Sequence, residues 1–113
     1  MNFKEVHQNV LLFPEVETSQ HFEKVAYKVK KKIFLTYMEN SSQFTVKFSP
    51  ENQQLLCGIS PQHIYPVPNK WGNQGWTLVN FNKLENEVLL DLLKAAYCTV
   101  APKKLAQEVL PKN

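Results

Sequence analysis

The hydrophobic period of the chain differs between its middle and its C-terminal part, and this difference constrains the fold more than any other feature. Between Phe22 and Ser49, apolar and polar residues alternate in short runs, which is typical of half-buried β-strands. Between Leu84 and Val100, apolar residues recur every three or four positions, which is typical of an amphipathic helix. A group of strands followed by a helical segment predicts an α+β fold.

Three strands are predicted in the alternating part. Phe22–Lys30 has one apolar and one basic face, Ile33–Met38 is apolar on both faces, and Gln43–Ser49 alternates again. The connections at Lys30–Lys32 and Asn40–Ser42 are short enough to be hairpin turns. The three strands are therefore predicted to form an antiparallel meander.

The flanking segments are predicted to be helical, apart from one loop. Apolar residues within Phe3–Phe13 have helical spacing, which Pro14 ends. The polar segment Glu15–His21 is predicted to be a loop. Ser49–Glu51 supplies a cap, a proline and an acid in the order that begins a helix, and Gly58 is expected to end it with left-handed geometry.

The last strands and the long helix follow a proline-rich segment. Ile59–Asn69 contains three prolines and is predicted to be a loop or a broken edge strand. Lys70–Phe81 should form a turn between its two glycines and then a largely covered strand. The long helix begins either at Asn82, through a capping box, or at Glu85, and Pro102 starts a shorter helical piece.

Together these elements predict a single α+β domain over residues 1–113. It has an N-terminal helix, an antiparallel sheet made of the three-strand meander plus one or two later strands, a short middle helix, and a long C-terminal helix packed on the sheet. The hydrophobic share of 43% in 113 residues is sufficient for a core without a disulfide or a metal.

The cysteines and the N-terminus favour a cytoplasmic protein. Cys57 and Cys98 are far apart in sequence and are expected to be buried free thiols in a reducing compartment. The N-terminal segment has an early acid and only a short apolar run, so we expect neither a signal peptide nor a membrane span.

No motif for catalysis, metal binding or cofactor binding stands out. His7, His21 and His63 lie in three different predicted elements, without the ligand spacing that zinc sites use. A Cys–His pair assembled in space stays open, although neither thiol has an activating neighbour in sequence. We therefore expect no catalytic residues, no metal and no cofactor.

The distribution of lysines is the most specific feature of the composition. All 13 basic residues are lysines, and the net charge is +3. A lysine-rich strand face is either a soluble, guarded edge or a surface that attracts an anionic polymer. Without arginine, such a surface would contact phosphates rather than read guanine. The candidate phosphate-contacting residues are Lys24, Lys28, Lys30, Lys31, Lys32 and Lys47.

The two tryptophans allow two interpretations. Trp71 and Trp76 flank a turn that contains both Gly72 and Gly75. They either pack as core rings beside the turn or present a stacking platform for a base or a partner's side chain. Lys70 and Trp71 are therefore a second candidate contact for nucleic acid.

From about Val16 to Leu105 the chain resembles the MmcQ/YjbR family of small bacterial proteins. The matching segments are AYKVKKKIFLTY, the SPE that opens a short helix, WGNQGWTLVNF and AAYCTVAPKKL. The chain departs from the family at the first hairpin turn, where Lys30 and Lys31 replace the usual glycine. The resemblance implies helices packed on an antiparallel sheet. It also implies the label DNA-binding, which the family carries because its fold is similar to a double-wing DNA-binding domain of a phage transcription activator.

Three functions follow as hypotheses. The first is a non-enzymatic module that binds DNA non-specifically through the lysine-rich sheet face and hairpin tips. The second is a protein-interaction or adaptor module, or a homodimer, built on an exposed strand or on the Tyr65–Trp71 loop, with no role in nucleic-acid binding. The third is an enzyme, which would require a cleft that brings a histidine to Cys57 or Cys98.

Overall fold

Six strands form one antiparallel sheet in the order β1-β2-β3-β4-β6-β5. The structure, a computed structural model, describes residues 1–110. The strands are β1 (Glu17–His21), β2 (Lys24–Val29), β3 (Lys32–Met38), β4 (Phe44–Lys47), β5 (Ile64–Pro66) and β6 (Trp76–Val79). The helices are α1 (Phe3–Val10), α2 (Pro50–Ile59), α3 (Lys70–Asn73), α4 (Asn86–Val100) and α5 (Lys103–Val109), with a 3-10 turn at Phe81–Lys83. The predicted α+β architecture is confirmed.

Helix α1 is shorter than its apolar spacing predicts. Asn2 caps it: the Asn2 side chain accepts from the Glu5 backbone N–H at 2.9 Å, and the Glu5 carboxylate accepts from the Asn2 N–H at 3.2 Å. The helix ends at Val10, three residues before Phe13. The backbone N–H groups of Leu12 and Phe13 donate to the carbonyls three residues earlier, rather than four as in an α-helix. Phe13 still packs on Tyr97 of α4, with ring centres 4.9 Å apart.

The predicted loop at Glu15–His21 is wrong for most of its length, since Glu17–His21 forms the edge strand β1. Its register pairs Glu17 with Lys28 and His21 with Lys24. All five residues of β1 are exposed, so the strand has no apolar alternation. Only backbone pairing with β2 defines it, and that pairing leaves no pattern in the sequence.

The hairpin between β2 and β3 contains a tight turn and a bulge. The predicted turn at Lys30–Lys32 is confirmed, with Lys30 at φ 50° and Lys31 at φ 69°. Tyr27 pairs with Leu35 and Lys28 with Ile33, so Phe34 is the extra residue of a β-bulge. Phe34 and Leu35 are both fully buried. The bulge therefore explains why Ile33–Met38 lacks alternation, and β3 is the central strand that was predicted.

Helix α2 begins as predicted and ends later. The Ser49 hydroxyl accepts from the Asn52 N–H at 3.2 Å, and Pro50 is the first helical residue. Gly58 was expected to end the helix with left-handed geometry, and this prediction is wrong. Gly58 lies inside α2, which continues to Ile59, and Gly75 is the one glycine with positive φ in the described part of the chain.

The proline-rich segment forms the second edge of the sheet. Within it, Ile64–Pro66 pairs with β6 as a three-residue strand, as the edge-strand alternative predicted. The predicted turn before β6 instead contains the one-turn helix α3. Strand β6 is covered on one face only: Thr77 and Val79 are fully buried, whereas Trp76 and Leu78 are partly exposed.

Of the two predicted starts of the long helix, Asn82 and Glu85, the second is correct. Glu85 is the N-cap of α4, without a side-chain capping bond, and Asn82 lies in the 3-10 turn. Pro102 is the N-cap of α5 rather than its first residue.

The helices cover one face of the sheet. Phe3 of α1 packs against Tyr27, Tyr37 and Phe44, and Tyr97 of α4 packs against Phe34. The buried core comprises Val6, Val10, Tyr27, Val29, Phe34, Leu35, Phe44, Val46, Phe48, Leu56, Ile64, Val79, Phe81, Leu89, Leu92, Leu93, Ala96, Tyr97 and Leu105. The opposite face, called the outer face below, has no long helix packed on it.

Candidate nucleic-acid interface

The outer face is a mixed apolar and polar surface. Residues that pair across an antiparallel sheet project to the same side. The pairs join Ala26 to Thr36, Thr36 to Thr45, Thr45 to Leu78, and Leu78 to Tyr65 in one row across five strands. None of these five residues is fully buried. The row is therefore a platform that solvent or a ligand can reach.

An open groove of about 430 Å³ runs over this face. Its apolar walls are Ile33, Val67, Trp71, Trp76 and Leu78. Thr36, Thr45 and Lys24 complete the lining. The groove combines a stacking surface with hydroxyl groups and a cation at its border.

Trp71 is held at the groove by helix α3. The Asn69 side chain accepts from the Trp71 backbone N–H at 2.8 Å and so caps the helix. The Gln53 amide of α2 donates to the Gly72 carbonyl at 2.9 Å. A Cβ on Gly72 would lie 2.0 Å from the Val67 carbonyl oxygen, so only glycine fits there. The Trp71 side chain itself is 50% exposed.

Trp76 reaches the groove from the first residue of β6. The preceding residue, Gly75, has φ 104°, and a Cβ on it would lie 1.9 Å from the Phe48 carbonyl oxygen. Gln53 also donates to the Thr77 hydroxyl at 3.1 Å, which ties this strand to α2. Both glycines of the turn are therefore required by close backbone approach. Neither tryptophan is a core ring as the packing interpretation predicted, since Trp71 is exposed and Trp76 is partly exposed.

Each tryptophan has a lysine at its ring. The Lys47 Nζ lies 5.5 Å from the centre of the Trp76 ring, and Lys47 and Trp76 are directly paired on adjacent strands. The Lys70 Nζ lies 6.0 Å from the centre of the Trp71 ring. These distances are within the range of cation–π contacts. The two predicted candidate contacts therefore come together at one groove.

The lysines of β2 also belong to the outer face. Lys24 and Lys28 share the side of Ala26, opposite the buried Tyr27 and Val29. Lys24 lines the groove. Lys28 stands directly opposite Glu17 of β1, so an acid moderates the positive potential at that edge.

The three lysines at the hairpin tip do not form one surface. The Lys30 Nζ contacts the Glu15 carboxylate at 2.7 Å, and this hydrogen bond, with the Glu15 charge, raises the pKa of Lys30. Lys31 occupies the tip itself. Lys32 pairs with Val29, whose side chain is buried under the helices, so Lys32 lies on the helix side of the sheet. Of the predicted lysines, Lys24, Lys28, Lys47 and Lys70 are therefore the ones that share the outer face and its groove.

Five groove residues were missed by the prediction of nucleic-acid contacts: Ile33, Thr36, Thr45, Val67 and Leu78. The alternation of Trp76–Leu78 on one side of β6 was an available signal. For Ile33 the sequence contained no such signal, because the bulge at the next residue, Phe34, interrupts the alternation of β3.

Cys57, Cys98 and Tyr27 pack in or against the core. Burial raises the pKa of the Cys57 and Cys98 thiols, which disfavours the reactive thiolate. Burial and the Tyr37 charge raise the pKa of Tyr27 to about 12, and the Tyr27 hydroxyl lies 2.7 Å from His7 Nδ1. Within residues 1–110, no three His, Cys, Asp or Glu side chains are grouped as metal ligands. No helix among these residues is long and apolar enough to span a membrane.

Comparisons with known proteins agree with this fold. The structure is similar to that of protein DR2400 from Deinococcus radiodurans, described as a domain of the family DUF419, with a TM-score of 0.74. The two chains are 22% identical, and the alignment covers 96% of this chain and 88% of that one. A comparison with curated proteins finds no match. The sequence profile of the YjbR family matches residues 11–99. Since this match extends over most of the chain, the protein belongs to the YjbR family.

Proposed function

We propose that this protein is a non-enzymatic DNA-binding module that uses the outer face of its sheet. The observation that carries the proposal is the position of Lys24, Lys28 and Lys47 on a sheet face that no long helix covers. Ammonium groups on one accessible face attract a polyanion more strongly than the same charges spread around the molecule. The two free thiols favour a reducing compartment, so we place this activity in the cytoplasm.

The contacts are made mainly to phosphates. Lys24, Lys28 and Lys47 approach the backbone from the sheet, and Lys70 with Trp71 adds a contact at the groove. The hairpin tip extends the contact through Lys31, since Lys30 is paired with Glu15 and Lys32 lies on the helix side of the sheet. Because the chain contains no arginine, binding depends little on sequence.

Salt dependence tests the electrostatic part of this proposal. We expect a labelled duplex or single-stranded oligonucleotide to bind at low salt and to dissociate steeply as salt is raised. Three face lysines that each meet one phosphate give a slope of about −2 to −3 for log affinity against log salt. Fluorescence anisotropy measures this slope. Absence of binding to either form of DNA at low salt would refute the proposal.

Matched charge reversals test the location. The double variant Lys24→Glu/Lys28→Glu should weaken binding strongly and reduce the magnitude of the salt slope by about 2. The control, Lys103→Glu/Lys104→Glu, makes the same change of net charge on α5, which packs on α4 on the helix side. If both variants lose the same affinity, net charge rather than the outer face governs binding.

A protein-interaction module is the second candidate, and the edge strand β1 favours it. All five residues of β1 are exposed, and one side of the strand has no neighbouring strand among residues 1–110. Such an edge can accept a strand from a second copy or from another protein. Sedimentation equilibrium distinguishes a homodimer from a monomer: a concentration-dependent dimer that does not dissociate when salt is raised supports this candidate. A salt-insensitive monomer that captures no partner argues against it.

A further inference from the structure

We propose, on the basis of the DNA-binding function above, that the groove takes single-stranded DNA and stacks bases on Trp71 and Trp76. Both rings line one groove, and both remain partly accessible. A tryptophan that is 50% exposed, as Trp71 is, leaves a large apolar surface in water that a stacked base would cover. Stacking does not depend on sequence, since every base has a π-face.

The lysines beside the rings fit the chemistry of a single strand. A base that stacks on Trp76 displaces the Lys47 ammonium from the ring, because the flexible lysine chain can move aside. The displaced ammonium stays close to the phosphate attached to that base. The same arrangement holds for Lys70 and Trp71. Each pair thus supplies one stacking surface and one phosphate contact, as single-strand grooves require.

The outer face is poorly suited to reading a duplex. In a duplex both faces of each base are already covered by neighbouring bases, so the two rings would gain nothing without intercalation. The helices long enough to enter a major groove, α1, α2 and α4, pack on the opposite face, and α3 has only four residues. The accessible surface is a sheet face with a groove, which a flexible strand can follow.

The backbone segments that carry the two rings are tied to the rest of the fold. Gln53 joins α3 to β6 by hydrogen bonds to the Gly72 carbonyl and the Thr77 hydroxyl. Close backbone contacts at Gly72 and Gly75 exclude side chains and hold both ring-bearing segments in place. Pre-organised rings lose little conformational entropy on binding, which favours affinity.

The test compares an oligothymidylate of about 15 nucleotides, near the upper limit of typical single-strand sites, with a duplex of the same length. We expect tighter binding of the single strand, with quenching of tryptophan fluorescence. Trp71→Leu should weaken single-strand binding by between about 5-fold and 100-fold and weaken duplex binding less, and Trp71→Phe should recover part of the loss.

Phe22→Leu is the matched control, because Phe22 is an 87% exposed ring at the β1–β2 turn and does not line the groove. It should leave single-strand affinity unchanged. If the duplex binds as tightly as the single strand, or if Trp71→Leu behaves like Phe22→Leu, the stacking proposal is wrong while DNA binding stands. If neither DNA form binds at low salt, the proposed function and this inference both fail.

Discussion

Gly75 and Lys31 both have left-handed backbones, at φ 104° and 69°, but only glycine adopts this region without strain. Gly75 meets a constraint that no other residue satisfies, since a Cβ would overlap the Phe48 carbonyl oxygen. Lys30 and Lys31, in contrast, occupy a two-residue turn that favours asparagine and glycine. The positive φ angles of Lys30 and Lys31 therefore lower the stability of the hairpin, while both side chains place charge at its tip.

Replacing a tip lysine with glycine should stabilise the protein. Lys31→Gly removes the steric cost of positive φ and should raise the free energy of unfolding by about 1 kcal/mol. Urea denaturation measures the change. Lys32→Gly is the control, because it removes the same charge from a strand position and should lower stability by up to about 1 kcal/mol. A loss of stability in Lys31→Gly would show that the turn is not strained.

At the scale of elements, the predictable segments are those that bury an apolar face. Strand β2 and helix α4 each show a period because one side contacts the core, whereas β1 buries no residue and is visible only in its pairing. The outer groove could be predicted from the sequence only in part. Trp71 was a candidate from its sequence context, but α3, which presents it, has too few residues for a helical period.

Helix α2 offers a test of whether its glycine belongs to the helix or ends it. Gly58 has space around it, since a Cβ would meet no atom within 4 Å. Gly58→Ala should therefore raise the free energy of unfolding by about 0.5–1 kcal/mol, because alanine loses less backbone entropy in a helix. Thermal denaturation measures the shift.

The matched control is Gly72→Ala, which also lies in a helix but would place its Cβ 2.0 Å from the Val67 carbonyl oxygen. This variant should be clearly destabilised and should disturb Trp71. If Gly58→Ala lowers stability instead, the glycine has the terminating role that the sequence suggested.

At the scale of the whole molecule, the two faces of the sheet differ in composition and burial. The helix face holds the core, including two tyrosines that join distant parts of the chain: Tyr27 contacts His7 of α1, and the Tyr97 hydroxyl donates to the Pro14 carbonyl at 2.7 Å. The outer face holds the lysines and the groove. Changes on the outer face can therefore alter its charge and its exposed rings without disturbing the core.

Stability should fall in strongly alkaline solution because of these two tyrosines. Burial raises the pKa of Tyr27 and of Tyr97 from 10.0 to about 12. In the unfolded chain the pKa of both hydroxyls is near 10.0, so between pH 10 and about 12 the unfolded chain binds fewer protons than the native protein. The titration of these groups therefore does not change the free energy of unfolding below pH 10. As the pH rises from 10 to about 12, their titration lowers the free energy of unfolding.

Urea denaturation at several pH values, with tyrosinate absorbance recorded in parallel, measures this effect. Tyr97→Phe removes one of the two groups and should make the decrease shallower. A free energy of unfolding that stays constant across this interval would mean that the two hydroxyls are as accessible in the native protein as in the unfolded chain.

The sequence alone determined the elements whose faces differ in polarity: the meander, the start of α2, the long helix and the basic side of β2. Burial of one face imposes a period, and a period can be read without coordinates. Tertiary structure alone decided the edge strand β1, the bulge at Phe34, the helical place of Gly58, and the meeting of Trp71 with Trp76. The edge strand and the bulge depend on backbone pairing, and the shared groove of the two tryptophans depends on how α3 packs beside β6, which local residue order does not encode. The lysines were evident in the sequence, but only the fold divided them between the outer face, the hairpin tip and the helix side.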